Sequence, residues 1–334
     1  MTGAPVTVSI LTASGFNMAT TTGFIDAFRA CNYLAGEQLF RWSLSHAGIE
    51  LPVASNGLVL HSTALDPLEK APDIGVVSTS WAPEAVYEAM TPLIRRWARF
   101  GAPLVGLDTG AFVLAEAGLL DGKRATVHYE HIDAFAETFP NVRTTEDLYT
   151  IDGARMTAAG GAAATDLALQ IVRSRAGDAL ANVAARYIFH ERLRPEGAWQ
   201  LPSGAEPSGA TTPTTVRAAI QFMEDHLEEV VPMHAIAAHA GISQRRLERL
   251  FRRFIGRTPA RYYSDVRLHR ARGLATQTDL PLREIALACG FASPEHFSRA
   301  YRKRFGAPPQ VDRQAGRVPF EFRAWPMHER GGLN

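Results

Sequence analysis

The stretch GLDTGAFVLAEAGLL, Gly106 to Leu120, joins a short apolar run to a helical pattern through a turn at Asp108, Thr109 and Gly110. Leu104–Leu107 reads as a buried strand, so the turn is a strand-to-helix elbow. In an open parallel sheet such an elbow lifts one side chain to the carboxyl edge, where ligands of these folds bind. In many α/β proteins the lifted side chain is a nucleophile; here it is Asp108. The helix that follows adds partial positive charge at its N-terminus. Asp108 is therefore expected to stay ionised unless the site desolvates it strongly.

Around the elbow, short apolar runs alternate with helical ones. Val6–Leu11, Leu39–His46 and Ile74–Val77 read as strands, and the pattern through Phe24, Ala27, Phe28 and Cys31 and that over Ala85–Phe100 read as helices. This alternation predicts βαβ units and a parallel sheet. Tyr149–Ile151 and Ala154–Thr157 flank Asp152-Gly153, a hairpin signal. Helices follow over about Ala164–Arg175 and Gly177–Glu191. Residues 195–213, PEGAWQLPSGAEPSGATTP, have no periodicity and read as an exposed linker. The 334 residues suit two domains, and no apolar run is long enough for a membrane helix. The start of the chain has no signal-peptide pattern, and two cysteines far apart, Cys31 and Cys289, fit a reducing, cytoplasmic setting.

The net charge of +1 conceals an asymmetry. Residues 232–310 hold 15 Lys+Arg against 5 Asp+Glu, a net +10 that leaves −9 on the rest. A basic third on an acidic body points to a polyanionic partner for that third alone. The same third carries one pattern twice. In MHAIAAHAGISQRRLERLFRRF (233–254), an apolar face precedes Gly241 at a turn, Ser243 stands at a cap position, and Leu247, Leu250, Phe251 and Phe254 form a buried stripe. In LREIALACGFASPEHFSRAYRKRF (282–305) the corresponding residues are Gly290, Ser293, and Phe297, Ala300, Tyr301 and Phe305. Gly at the turn, Ser at the cap and an arginine-rich outer face are the marks of a helix-turn-helix. The helical run between the units, about Ala260–Gln277, spans roughly 27 Å at ~1.5 Å per residue. That length suits two recognition helices about 34 Å apart, one turn of DNA.

The stretches ISQRRLERLFRRFIGRTPARYYSDVRLHRARGLA and LREIALACGFASPEHFSRAYRKRFGAPP resemble the AraC-family DNA-binding domain over about Thr214–Pro309. By position in that motif, Arg245, Glu248 and Arg249 are expected to face bases in one groove, and Glu295, His296 and Arg299 in the next. Arg252, Arg253, Arg302 and Lys303 are expected at phosphates. The stretches GFNMATTTGFIDAFRACNYLAG, GLDTGAFVLAEAGLLDGKRATVHYEH and LYTIDGARMTAAGGAAATDLALQIV resemble the class I glutamine amidotransferase-like, PfpI-type superfamily. More narrowly, they are similar to its sensor domains fused to AraC-type DNA-binding domains. The resemblance implies a flavodoxin-like α/β sandwich followed by an all-α domain with two helix-turn-helix units. It implies domains at 1–195 (effector sensing and oligomerisation) and 214–310 (DNA binding), with a linker at 196–213 and an irregular tail at 311–334.

The catalytic relatives hold Cys at the elbow, often followed by His, where this chain has Asp108 and Thr109. A Cys-His hydrolase needs a thiol with an adjacent base, so no catalytic activity and no cofactor are expected; the alternative is a PfpI-like hydrolase or lyase carrying a DNA-targeting domain. The sensor relatives imply a small nitrogenous effector, such as an amino acid or a betaine-like or carnitine-like quaternary amine. Asp108, Thr109, Asn17, Trp81 and His128 are its expected ligands, with Trp81 beside Asp108 as the aromatic partner of a cation. The plainer reading has Trp81 under a loop, Asp108 capping its own helix, and His128 and Asp166 structural. Glu130 and His131 make only a pair, too few for a metal site, so no metal is expected. Duplex DNA, the effector and a second copy of the chain are the expected partners. RNA polymerase is a further one, activation being the commoner mode of the resembled family.

Overall fold

The sheet is built from the short apolar runs and its covers from the amphipathic ones. The computed structural model describes residues 4–80, 84–190, 193–200 and 213–314. The chain divides between Gln200 and Leu201 into two units. The first contains β1 (Val6–Thr12), α1 (Met18–Ala35), β2 (Phe40–His46), β3 (Thr63–Ala64), β4 (Ile74–Thr79), α2 (Glu84–Arg99), β5 (Leu104–Asp108) and α3 (Gly110–Glu116). It continues through β6 (Arg124–Ala125), a 3-10 turn at Tyr129–His131, α4 (Ile132–Thr138), β7 (Arg143–Thr144), β8 (Tyr149–Asp152), β9 (Arg155–Ala158), α5 (Ala162–Ala176) and α6 (Asp178–Tyr187).

Seven strands form one sheet in the order β3-β2-β1-β4-β5-β9-β8, parallel except for the β8–β9 hairpin. The order reverses on either side of β1, as in flavodoxin-like sheets, and ligands of such sheets bind beyond the carboxyl ends at the reversal. Every residue of β4 and β5 is buried, as expected of central parallel strands covered on both faces. Alternation splits their side chains between two cores. Val76, Val105 and Leu107 pack with Phe24 and Phe28 of α1 and Leu167 of α5. Val77 and Leu104 pack on the other face with Trp97 of α2 and Val113 of α3.

The elbow between β5 and α3 depends on close backbone approach. A Cβ added at Gly110 would stand 2.1 Å from the Val77 carbonyl oxygen, and one at Gly106 would stand 2.8 Å from the Ala111 nitrogen. Glycine at these two positions lets α3 start directly over β4. Thr109 completes the junction: its N–H and its hydroxyl both donate to the Thr79 carbonyl, at 3.2 and 3.0 Å.

Two sequence expectations for this unit are corrected. The helix expected to run to Glu191 ends at Tyr187, because His190 and Arg194 turn inward onto the buried Asp166 carboxylate, at 2.7 and 2.6 Å. Asp166 thus pins the chain after α6. Residues 196–200, expected to open the linker, are bound to the first unit. Trp199 bridges Asp147, and the Gln200 amide donates to Thr126 Oγ1 at 2.9 Å and to the Val127 carbonyl at 2.8 Å. Linker residues 201–212 lie outside the described residues.

The second unit holds α7 (Thr214–Glu224), α8 (Met233–His239), α9 (Gln244–Phe254), α10 (Pro259–Gln277), α11 (Leu282–Ala288), α12 (Pro294–Phe305) and α13 (Pro309–Gln314). Helix α10, 19 residues long, belongs to two cores: its first half packs with α7, α8 and α9, and its second half with α11 and α12. The tail, expected to be irregular over 311–334, begins inside a helix instead, α13. Its Asp312 pairs with Arg272 of α10 at 2.9 Å and accepts from the Tyr301 hydroxyl at 2.9 Å, and Arg313 donates to the carbonyls of Ala275 and Leu280. These tertiary bonds are not legible in a short polar stretch. Residues 315–334 lie outside the described residues. Among the described residues no helix is long and apolar enough to cross a membrane.

Because the Gly110 contact is with backbone, it cannot relax by side-chain rotation. Gly110→Ala is expected to destabilise the first unit by about 3 kcal/mol or more, the upper range for overpacking. Urea unfolding of wild type and variant measures it, and a loss under 1 kcal/mol would show that α3 can shift off β4.

Candidate functional site

The ends of β1, β4 and β5 lie side by side at the carboxyl edge, because parallel register sets Thr12 beside Ser78 and Thr79 beside Asp108. Thr21, in the first turns of α1, shares a 2.8 Å hydroxyl hydrogen bond with Ser78. At the centre stands Asp108, with φ 58°, in the left-handed region that non-glycine residues seldom enter and that Asp and Asn tolerate best. The residue is only 5% exposed. Gly160, between β9 and α5, adopts φ 104°, and a Cβ there would be 3.1 Å from the Asp108 carboxylate. The Gly161 N–H donates to Thr20 Oγ1 at 2.6 Å and holds this loop against α1.

Burial pushes the Asp108 carboxyl up to about 7. A hydrogen bond from the Asn17 side chain opposes that shift, repulsion from Glu130 adds to it, and the Thr109 N–H opposes it more weakly. The expected influence of the helix terminus is thus outweighed by desolvation, and near neutral pH the group is divided between its acid and its anion. Asp108 does not cap α3: Thr109 occupies the N-cap position, with no side-chain cap. Asn17 caps α1, its Oδ1 accepting from Thr20 N–H at 3.2 Å. Its side chain also hydrogen-bonds to the Asp108 carboxylate.

His128 sits at the head of the 3-10 turn, and burial pushes its imidazole down to about 4, so the ring is neutral at pH 7. One ligand atom each from His128, Glu130 and His131 lies within 4.8 Å of the others. The sequence view had Glu130 and His131 as a pair; the 3-10 turn supplies the third donor, since side chains three apart eclipse in that geometry. Asn17, Asp108 and Glu130 are thus brought together, and His128 joins through Glu130. Trp81 lies outside the described residues. Gly160 and Thr20 were not anticipated, and the glycine pair at 160–161 was their only signal. No thiol is present at the elbow. Cys31 is buried in the α1 core with its thiol pushed up to about 11, and Cys289 is buried in the second unit.

In the second unit the two helix-turn-helix units repeat bond for bond. Ile242 and Gly241 N–H groups donate to the carbonyls of Ala237 and Ala238, and Phe291 and Gly290 do the same to Ala286 and Leu287. This is the bond pair of a left-handed helix terminus with glycine at the turn. Ser243 and Ser293 then cap α9 and α12 through the N–H groups of Arg246 and His296. Arg245, Glu248, Arg249 and Arg252 form an exposed stripe on α9, and Glu295, His296, Arg299 and Arg302 lie exposed on α12. Capped, basic second helices with buried inner faces define a DNA-binding protein of the double helix-turn-helix class.

Comparison with known proteins agrees. The model of the helix-turn-helix domain family matches residues 236–315. The HTH-type transcriptional regulator CdhR of Pseudomonas aeruginosa is 40% identical over 300 residues, covering 90% of this chain and 89% of that protein. The HTH-type transcriptional regulator ArgR of the same organism is 36% identical over 99% of this chain and 100% of its own length. Among solved structures, an AraC family transcriptional regulator from Pseudomonas putida matches 55% of this chain and 100% of its own, at 29% identity and a TM-score of 0.52. The chain belongs to the AraC family of helix-turn-helix transcriptional regulators.

The raised carboxyl at the elbow has a consequence for stability. The folded state binds the Asp108 proton more tightly than the unfolded chain, whose carboxyl lies near 3.8. Stability is therefore lost as pH rises from about 4 to about 7. Asp108→Asn keeps the left-handed tolerance and removes the buried charge. It is expected to raise stability by about 2 kcal/mol at pH 8, with the gain fading below pH 5. Thermal unfolding at the two pH values checks it, and equal effects at both would mean the carboxyl is not shifted.

Proposed function

We propose that the first unit is a non-catalytic receptor for a small cationic nitrogenous metabolite, and that its occupancy controls how the second unit engages DNA. The observation that carries this reading is Asp108: a buried carboxyl stands at the elbow where the catalytic relatives need a thiol. A carboxyl titrating near 7 in a desolvated site is poised to release its proton to solvent when an ammonium, quaternary amine or guanidinium group enters and pairs with the anion. Asn17 and the Thr109 N–H steady the anion, and Glu130 deepens the negative potential. A hydrolase reading would need a nucleophile and base at the same place, and Thr109 is engaged with the Thr79 carbonyl.

In this reading Arg245, Glu248 and Arg249 of α9, and Glu295, His296 and Arg299 of α12, contact bases in successive major grooves, while Arg252 and Arg302 hold phosphates. The protein acts as a cytoplasmic dimer or higher oligomer and as an activator. The effector works only through different affinities for two arrangements of the protein.

If Arg249 and Arg299 read bases, Ala at either position weakens cognate DNA by about 1–3 kcal/mol and relaxes specificity locally. Arg302→Ala instead weakens cognate and random duplexes alike and lowers the salt dependence. Equal losses on both duplexes for Arg249→Ala and Arg299→Ala would remove them from base readout.

The receptor reading is tested by thermal shift with amino acids, betaines, carnitine and polyamines on wild type and Asp108→Asn. A ligand at 100 times its dissociation constant stabilises by about 2.7 kcal/mol, a shift of several degrees. A response lost in Asp108→Asn is the expected result. A ligand response that persists unchanged in the variant would move the cation site away from the elbow.

A further inference from the structure

The 3-10 turn after β6 gathers two imidazoles and a carboxylate from four consecutive residues. His128 precedes the turn and His131 ends it. In this geometry side chains three apart stand over one another, and the two imidazole rings have centroids 5.9 Å apart, tilted by 47°. Glu130 reaches the same point, so that all three ligand atoms lie within 4.8 Å. His131 is buried, while His128 and Glu130 are half-buried. The Tyr129 ring lies beside His128, centroid to centroid 4.4 Å. The donors are therefore held by packing and not spread on a mobile surface.

We propose that His128, Glu130 and His131 form a binding site for a first-row divalent transition ion of the zinc type. Donors around tetrahedral zinc stand about 3.4 Å apart at metal–ligand distances of roughly 2.0–2.1 Å. The three ligand atoms, within 4.8 Å of one another, would draw together to that spacing on binding the ion. Two nitrogen donors and one oxygen favour zinc, nickel, cobalt or iron(II) over magnesium and calcium, which select oxygen. Three protein ligands leave a coordination position open. Asp108 is not one of the ligands, but Glu130 acts on it electrostatically, so the ion site adjoins the cation receptor proposed above and is tested without any effector.

The full-length protein, stripped with a chelator, is titrated with zinc by calorimetry and with cobalt(II) by visible absorption, without any effector. One ion per chain is expected, with a dissociation constant in the micromolar range or tighter and a cobalt spectrum of imidazole-bearing low coordination. Because His131 is buried, Glu130→Gln and His128→Ala at half-buried positions carry the test, their folding checked by circular dichroism. Each is expected to weaken zinc binding at least tenfold. The chain has 11 histidines, so binding that is unchanged in Glu130→Gln and His128→Ala belongs to other residues and overturns the site. Absence of stoichiometric binding in wild type overturns it as well.

Discussion

A carboxylate taken out of water at the end of a central strand organises the first unit. Asp108 is buried, holds a left-handed backbone and faces a second carboxylate, Glu130, whose charge acts on it. Each of these features is unfavourable by itself. They persist because the surroundings over-determine the elbow: β5 is clamped between β4 and β9, Gly110 rides on the Val77 carbonyl, and Thr109 bonds twice to Thr79. In the receptor reading proposed above, a bound cation would offset the cost of the buried charge.

The second unit shows how one residue type is divided between structure and recognition. The net charge of +10 over residues 232–310 overstates what DNA can meet. Arg257 and Arg304 are paired with the buried Asp265 of α10, at 2.5 and 3.4 Å. Arg267 donates to the Gly290 carbonyl at 3.0 Å and lies over the rings of Tyr263 and Phe291. Arg272 pairs with Asp312. These arginines fasten both helix-turn-helix units to α10. Breaking a buried pair leaves an uncompensated charge, typically a heavy cost, so the arrangement holds the two recognition helices in fixed relation. Those on the outer faces of α9 and α12 stay exposed.

Much of this was legible in the residues. The apolar runs of β1, β4 and β5, the DG hairpin of β8 and β9, and the two Gly-Ser turns each carry a local signal with a physical cause, so their elements stand where expected. The two-residue strands β3, β6 and β7 escaped because two residues establish no periodicity. Helix α13 escaped because its stability comes from Asp312 and Arg313 reaching α10 and the loop before α11, across more than 30 residues of chain. The strap at 193–200 has a linker's composition and is ordered by partners such as Asp166 and Thr126, which no local pattern announces.

At the candidate site the division is sharper. The sequence alone determined that the elbow carries an aspartate and no thiol, and that the basic third has two capped recognition helices, because these follow from residue identity and spacing. Only the tertiary structure decided how Asp108 titrates, that Asn17 bonds to it, and that His128, Glu130 and His131 converge. A pKa depends on how much water is excluded and which charges remain near. A donor cluster depends on the exact pitch of a single turn. The first is set by parts of the chain distant in sequence, such as Asn17 and Glu130; the second is local, but depends on the turn the fold imposes on residues 128–131.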